Sequence, residues 1–215
     1  MARSTRERII DESLRLFAER GYAATSVAEI EAASGLSPGA GGLYRHFKSK
    51  YELLAAAIGE HAARTRAQIA ETLTDAQGPA APVEERLTHM CRAGLAKVRE
   101  ESELTRVFFR DLSQFPELVA VVRDGLIQPM FDAISTWFRA QPEYAGADVD
   151  WPAISAVLGG AAVHFRLFHD TAGEPPGRAE KDRFVDAWVR LAVGLLSSLP
   201  APAAQACGHP APRLT

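Results

Sequence analysis

The sequence predicts an all-α protein, in which a small N-terminal three-helix unit of helix-turn-helix type precedes a larger helical part. Three observations predict it. Apolar residues recur at helical spacing in segment after segment, as Ile10, Leu14 and Phe17 do in the first. Residues 1–52 hold three Ser-x-x-Glu boxes, at Ser4 and Glu7, Ser26 and Glu29, and Ser49 and Glu52. Each lets a hydroxyl bond the third amide of a helix while the carboxylate reaches back to the cap. No run alternates with the period of two that a half-buried strand requires, and no internal repeat is present.

The elements follow in order. Helix one starts near Thr5, and Gly21 ends it as a C-cap residue. Residues 22–25 connect it to a short helix capped by Ser26, whose Val27 and Ile30 share a face. Gly35 supplies the left-handed residue of a tight corner. A further short helix ends in the cluster Tyr44, His46 and Phe47, and Ser49 caps a long helix running to about Thr74. That helix carries Leu53, Leu54, Ala57, Ile58, Ile69 and Leu73 on a broad face. At about 25 residues it spans about 38 Å, a physical link between the N-terminal unit and the rest.

Residues 75–82 (DAQGPAAP) read as a linker. Helices follow over 83–99, 105–112 and 117–140, the last kinked at Pro129, which lacks an amide and clashes with the preceding turn. After a loop at 141–150, two more run over 151–170 and 179–199, separated by TAGEPPG. The tail, 201–215, has no periodicity and is expected to be disordered. The total is about nine helices, with boundaries at 1–52, 53–200 and 201–215.

Composition excludes several classes. A hydrophobic content of 47% over 215 residues is ample for a buried core and argues against disorder. No apolar run reaches the about 18 residues of a membrane span. The start, MARSTRERIIDESLRLF, mixes charge into its apolar residues and lacks a signal peptide's apolar core, so a cytoplasmic location is expected. Cys91 and Cys207 lie too far apart in sequence to suggest a disulfide framework or a cysteine metal site. The net charge of -3 is unevenly divided, since residues 1–52 hold eight Lys or Arg against seven Asp or Glu. DNA contact is compatible with that only if a few cations are well placed.

Enzyme chemistry finds no support. His89 and Cys91 are two residues apart, about 200° round a helix, and cannot share a metal, while His164 and His169 are five apart, about 140°, and make a poor ligand pair. No G-x-S-x-G, Walker or Gly-rich dinucleotide signature appears. No metal, cofactor or catalytic residue is predicted.

At FAERGYAATSVAEI and GLSPGAGGLYRHFKSKYELL the chain resembles the TetR family of one-component transcriptional regulators. The resemblance rests on the order Phe17, Gly21, Tyr22, Thr25, Ser26, Val27, Ile30, Gly35, Leu36, Ser37, Leu43, Tyr44, His46, Phe47 and Lys50. It covers about residues 9–54 and is only architectural over 55–200. It implies a helix-turn-helix whose second helix enters the major groove, in a homodimer on a near-palindromic DNA operator. It further implies that Thr25, Tyr44 and Lys50 touch phosphates and that residues 37–45 face bases. The candidate DNA-binding residues are Thr25, Ser26, Ser37, Pro38, Gly39, Ala40, Tyr44, Arg45, His46 and Lys50. Helix starts near Ser26 and Lys50 suit an anion, and the fork of Arg45 matches guanine, or is a solvated helix-end cation. The cluster Tyr44, His46 and Phe47 can equally close a small core. The chain departs from the usual pattern in two ways: two extra residues stand between Ser37 and Leu43, and Glu31 and Ser34 occupy positions where small residues are usual. Either the recognition helix starts late or it becomes ordered only on DNA.

The resemblance also implies a small-molecule effector pocket among the middle helices. Its candidates are His61, His89, Phe108, Phe109, Arg110, Trp137, Phe138, His164 and Phe165, a mix suited to a largely apolar effector, with plain core as the competing reading of each aromatic. The last two helices read as the dimer surface, through Phe184, Trp188, Leu191 and Leu195 on one and the small stripe Ala156, Gly159, Gly160 and Val163 on the other, or as a stripe buried within one chain. The function so predicted is a ligand-responsive repressor. The alternative is a dimeric sensor or carrier of small molecules that acts through protein contacts with weak or no DNA binding.

Overall fold

The computed structural model describes residues 3–75, 81–144 and 147–197. Among them all regular structure is helical. The α-helices are α1 Thr5–Arg20, α2 Val27–Ala33, α3 Lys50–Asp75, α4 Val83–Glu100, α5 Ser102–Asp111, α6 Pro116–Val122, α7 Gln128–Arg139, α8 Trp151–Ala172 and α9 Lys181–Ser197. The tail at 201–215 and the middle of the linker at 75–82 lie outside the described residues.

The helix boundaries follow from local chemistry. At α1 the Ser4 hydroxyl accepts the Glu7 amide at 3.2 Å and the Glu7 carboxylate accepts the Ser4 amide at 2.7 Å, the reciprocal box predicted. Gly21 closes α1 at φ 96°, its amide donating to the Phe17 carbonyl. The box at α2 is also reciprocal. The third is not: Ser49 Oγ accepts the Glu52 amide at 3.0 Å, but the Glu52 carboxylate reaches one residue further, to the Lys48 amide at 2.9 Å.

The expected kink at Pro129 takes a different form. Helical structure continues from Pro116 to Arg139, but residues Arg123–Ile127 form a π-helical stretch just ahead of Pro129, which opens α7. A wider turn there relieves the clash that a proline makes with the turn before it. Helix α5 also begins earlier than expected, at Ser102, while α9 begins later because Pro176–Arg178 form a 3-10 turn.

Two cores divide the molecule. The first takes Ile9, Leu14 and Phe17 from α1, Ile30 from α2, Leu43, Phe47, and Leu53, Leu54, Ala57 and Ile58 from α3, and closes with Leu104, Val107, Leu118 and Leu126. It runs across residue 52 without a break. The second gathers Leu87, Cys91, Phe138, Trp151, Phe165, Val185 and Trp188 from α4 and α7–α9, with Tyr144 from the 3-10 turn Pro142–Tyr144. There Phe138 stacks on Trp151 at 5.6 Å between centroids, and the Trp188 indole donates to the Leu158 carbonyl at 2.9 Å. Apolar burial of this extent supplies most of the stability of an all-helical fold.

Candidate functional site

The N-terminal unit presents one exposed run. After α2, Gly35 turns the chain at φ 75°, and the Leu36 amide returns to the Glu31 carbonyl at 2.8 Å. Ser37, Pro38, Gly39 and Ala40 are exposed, as are Tyr44 (56%), Arg45 and His46. Leu43 and Phe47 between them are buried and anchor the run to the first core, so Phe47 is a core residue, with Arg6 lying over its ring.

The second helix of the motif is not an α-helix. Residues 37–42 form a turn with Gly39 and Gly41 both at φ 73°, followed by the 3-10 helix Leu43–Arg45. Left-handed glycines on either side of Ala40 interrupt α-helical hydrogen bonding, so helical structure starts late, at Leu43.

Glu31 was legible in the sequence as a departure but its role was not. It is fully buried, and its carboxylate accepts two main-chain amides of the turn region, Gly39 at 2.7 Å through Oε2 and Leu43 at 3.0 Å through Oε1. The signal that could have found it is the pairing of the two departures, an acid on α2 and a lengthened turn with spare amides opposite.

Three of the candidate DNA-binding residues bond within the chain, Thr25 and Lys50 inside the fold and Ser26 at the exposed cap of α2. Thr25 is buried and its hydroxyl donates to the Gly21 carbonyl at 2.8 Å and the Leu16 carbonyl at 3.3 Å. Ser26 Oγ accepts the Glu29 amide and donates to its carboxylate. The Lys50 ammonium donates to the Tyr22 and Thr25 carbonyls at 2.7 and 2.8 Å and sits 4.4 Å from the Tyr22 ring centroid. Burial pulls its pKa down. Lys50 therefore braces the start of α3 against the α1–α2 connection, because an ammonium sheltered from water seeks carbonyl oxygens. Tyr44, Arg45 and His46 remain as the outward groups.

The nine effector candidates do not converge. His61 pairs with Glu101, which also accepts Thr65 Oγ1 at 2.8 Å and pairs with Lys97 at 2.9 Å. Phe108 packs on the first core, Phe109 is 59% exposed, and Arg110 donates to the Phe17 carbonyl at the end of α1. Trp137, Phe138 and Phe165 belong to the second core, and His89 and His164 are exposed. Periodicity shows which face of a helix is apolar but not which neighbour that face meets. A groove of about 410 Å³ lies elsewhere, lined by Arg3, Glu7, Asp11, Leu14, His61, Arg64 and Glu103. Its lining is polar and shares only His61 with the candidates. Among the described residues no group of three His, Cys, Asp or Glu side chains is placed to hold a metal.

The dimer candidates divide between inside and outside. Phe184 stacks on Phe165 at 4.3 Å, Trp188 is buried, and a Cβ on Gly159 would stand 2.6 Å from the Phe131 ring. Those three serve packing within the chain. Outward on α8 stand Ala156, Val157 (69%), His164 and Phe168 (45%), with the half-buried Gly160 and Val163 beside them. A Cβ on Gly160 would meet nothing within 4 Å. On α9, Leu191 is 72% exposed. Val157 and Phe168, not among the candidates, are thus exposed on α8 as Leu191 is on α9, and their i, i+11 spacing was the available signal.

With this geometry in hand, comparison with known proteins is specific for the N-terminal unit. A family model described as bacterial regulatory proteins, tetR family, matches residues 9–57. YerO of Bacillus subtilis (strain 168), described as an uncharacterized HTH-type transcriptional regulator, is 54% identical over 52 residues, 24% of this chain and 17% of that protein. AcrR of Shigella flexneri, an HTH-type transcriptional regulator, is 46% identical over 52 residues, 24% of this chain and 23% of that protein. The matched stretch thus spans less than a quarter of either relative. Among solved structures, a transcriptional regulator from Pseudomonas aeruginosa PAO1 shares the fold at TM-score 0.70 and 18% identity, over 90% of each chain. FadR from Bacillus subtilis, in complex with stearoyl-CoA, does so at 0.62 and 18%, over 89% of this chain and 97% of that one. Among the described residues no helix is long and apolar enough to cross a membrane.

Proposed function

Over residues 9–57 the chain belongs to the tetR family of bacterial regulatory proteins, and from that premise we propose that it is a ligand-responsive transcriptional repressor acting as a homodimer on a palindromic operator. Regulators of this family act by binding DNA and not by catalysis. The observation that carries the proposal is the exposed run from Ser37 to His46, in which Tyr44, Arg45 and His46 face outward from a buried Leu43 and Phe47. Arg45 suits a guanine edge or a phosphate, and Tyr44 a phosphate that its hydroxyl can reach. Thr25, Ser26 and Lys50 hold the frame, and contact DNA through the main chain they position. A single copy reads too few base pairs to be selective, so two copies about 34–36 Å apart are needed.

Response to a ligand is supported by direct links between the reading unit and the middle helices. Arg110 of α5 bonds the carbonyl of Phe17, and the Tyr51 hydroxyl of α3 donates to Glu117 of α6 at 2.6 Å. A small molecule that moves α5 or α6 pulls on α1 and α3 through those bonds, and shifts the two reading turns apart. FadR, which shares the fold, was solved in complex with stearoyl-CoA, and the acyl chain of that molecule supports an effector with an apolar part. Coupling is reciprocal, so operator DNA weakens effector binding by the same factor. Selection from random duplex DNA with the full chain tests the central claim: enrichment of an inverted repeat with a salt-dependent affinity is the expected result. Binding to no duplex at any ionic strength rejects it.

A further inference from the structure

Resting on the reading of the chain as a DNA-binding protein, we infer that Glu31 is the positioning residue of the DNA-reading turn, which it holds rigid before DNA arrives. The turn lacks the means to hold itself. Residues 37–42 include three glycines, two of them left-handed, and the chain there retains one internal main-chain bond, Ala40 to the Ser37 carbonyl at 3.2 Å. Such a segment is the most flexible kind of polypeptide when unbraced. One carboxylate supplies the brace. Its two oxygens take the amide of Gly39 inside the turn and the amide of Leu43 at its exit, while the carbonyl of the same residue takes the Leu36 amide at its entrance. Three points spaced along the turn are thus fixed to one residue of α2.

The charge makes the assignment sharper. An anion beneath a surface that meets phosphates is unfavourable for DNA affinity, so its presence needs a local reason. A carboxylate accepting main-chain amides forms bonds stronger than a neutral acceptor forms. The lengthened turn leaves the amides of Gly39 and Leu43, on either side of residues 40–42, outside any α-helical ladder, and the Glu31 carboxylate accepts both. The turn and the acid are therefore one device, in which a ready-made loop stands where an α-helix is usual and binds without a further ordering cost. Leu43 and Phe47 fix the exit in the core, and Glu31 fixes the approach.

The test uses the full chain with Glu31→Gln, which keeps one acceptor oxygen, and Glu31→Ala, which keeps none. In the free protein, the Gly39 and Leu43 amides are expected to be protected from hydrogen exchange, and to exchange about tenfold faster or more in Glu31→Ala, with Ile30 and Leu54 unaffected. If both amides exchange freely in the unaltered chain, or are indifferent to Glu31→Ala, the brace does not exist, whatever the protein binds. On duplexes selected by the unaltered chain, affinity is expected to fall about tenfold or more in Glu31→Ala and by less in Glu31→Gln. Affinity for random-sequence duplex at the same salt is expected to stay level, since phosphate contacts alone determine it. An equal fall on both DNAs, at unchanged helix content, overturns the positioning role. If the unaltered chain binds no duplex, the repressor reading fails and the DNA-reading half of this inference falls with it, while hydrogen exchange still decides whether Glu31 braces the turn.

Discussion

Replacing Leu191 by glutamate puts a charge in place of an exposed apolar side chain of α9, on the helix expected to form the dimer surface. In one protomer Leu191 is 72% exposed and Val157 69%, so the change removes little packing within the chain, and an effect within about 0.5 kcal/mol on protomer stability is expected. Across a two-fold interface the arithmetic differs. Full burial of a leucine contributes about 1.5–3 kcal/mol, and the exposed 72% leaves roughly 1–2 kcal/mol of that to be gained on pairing. An isologous contact uses it twice, once from each copy, for about 2–4 kcal/mol in the dimer. That corresponds to a roughly 30- to 1,000-fold weaker association, before the repulsion of two facing carboxylates is added. Sedimentation equilibrium across a concentration series reads the dissociation constant directly, and circular dichroism checks that the protomer keeps its helices. A variant as dimeric as the parent would refute the placement of the interface on this face, however stable the dimer.

The neighbouring glycines of α8 have opposite expected outcomes, best measured in the Leu191→Glu background so that association does not enter. Gly159→Ala drives a methyl into the Phe131 ring, at 2.6 Å, for about 1–3 kcal/mol of overpacking against about 1 kcal/mol of helix propensity. Gly160→Ala meets nothing within 4 Å and should raise the urea midpoint by about 1 kcal/mol of stability; equal effects at both sites would contradict the packing described. Glu101 supplies a pH dependence. Burial raises its pKa, but bonds from His61, Lys97 and Thr65 outweigh burial and hold it at about 2. Because that lies below the ordinary 4.5, its stabilising contribution is complete above pH 4.5 and is lost as pH falls toward 2. Urea midpoints of the parent and Glu101→Gln should therefore converge over that window, and a gap that persists at pH 2 would show that the carboxylate charge is not the cause. Burial pushes the Cys91 thiol up to about 12, so in a Cys207→Ser variant at pH 8 it should resist alkylation until the chain is unfolded. Labelling of the native chain at the unfolded rate would count against its burial.

Much of the N-terminal frame was legible because it is written in short-range chemistry. The serine boxes at α1 and α2, the positive φ of Gly21 and the apolar stripe of α1 depend on residues within a few positions of each other, and all formed as their spacing requires. The site was legible only in part. That residues 37–46 are the outward run followed from the motif, but the inward turn of Thr25 and Lys50 did not, since their partners are the carbonyls of Leu16, Gly21 and Tyr22. Glu31 shows the same limit, for Leu43 lies 12 positions away.

Farther along the chain, sequence specified helices and their apolar faces, while tertiary packing chose which faces meet. Phe184 and Trp188 turned inward and Leu191 outward although all three fall on one predicted stripe, because α9 rolls onto Val185, Val189 and Ala192 as the centre of its buried face. The aromatic residues expected around one pocket divided between two cores, with Phe109 left exposed, for the same reason. A helix's own sequence encodes a direction perpendicular to its axis to within about one side chain. The angle at which neighbours cross, and hence the fate of residues at the edge of that face, is set by the volumes of side chains far away in sequence. Capping and turn chemistry are local and could be read; convergence of distant groups, at Lys50 and at Glu31, exists only once the chain has folded.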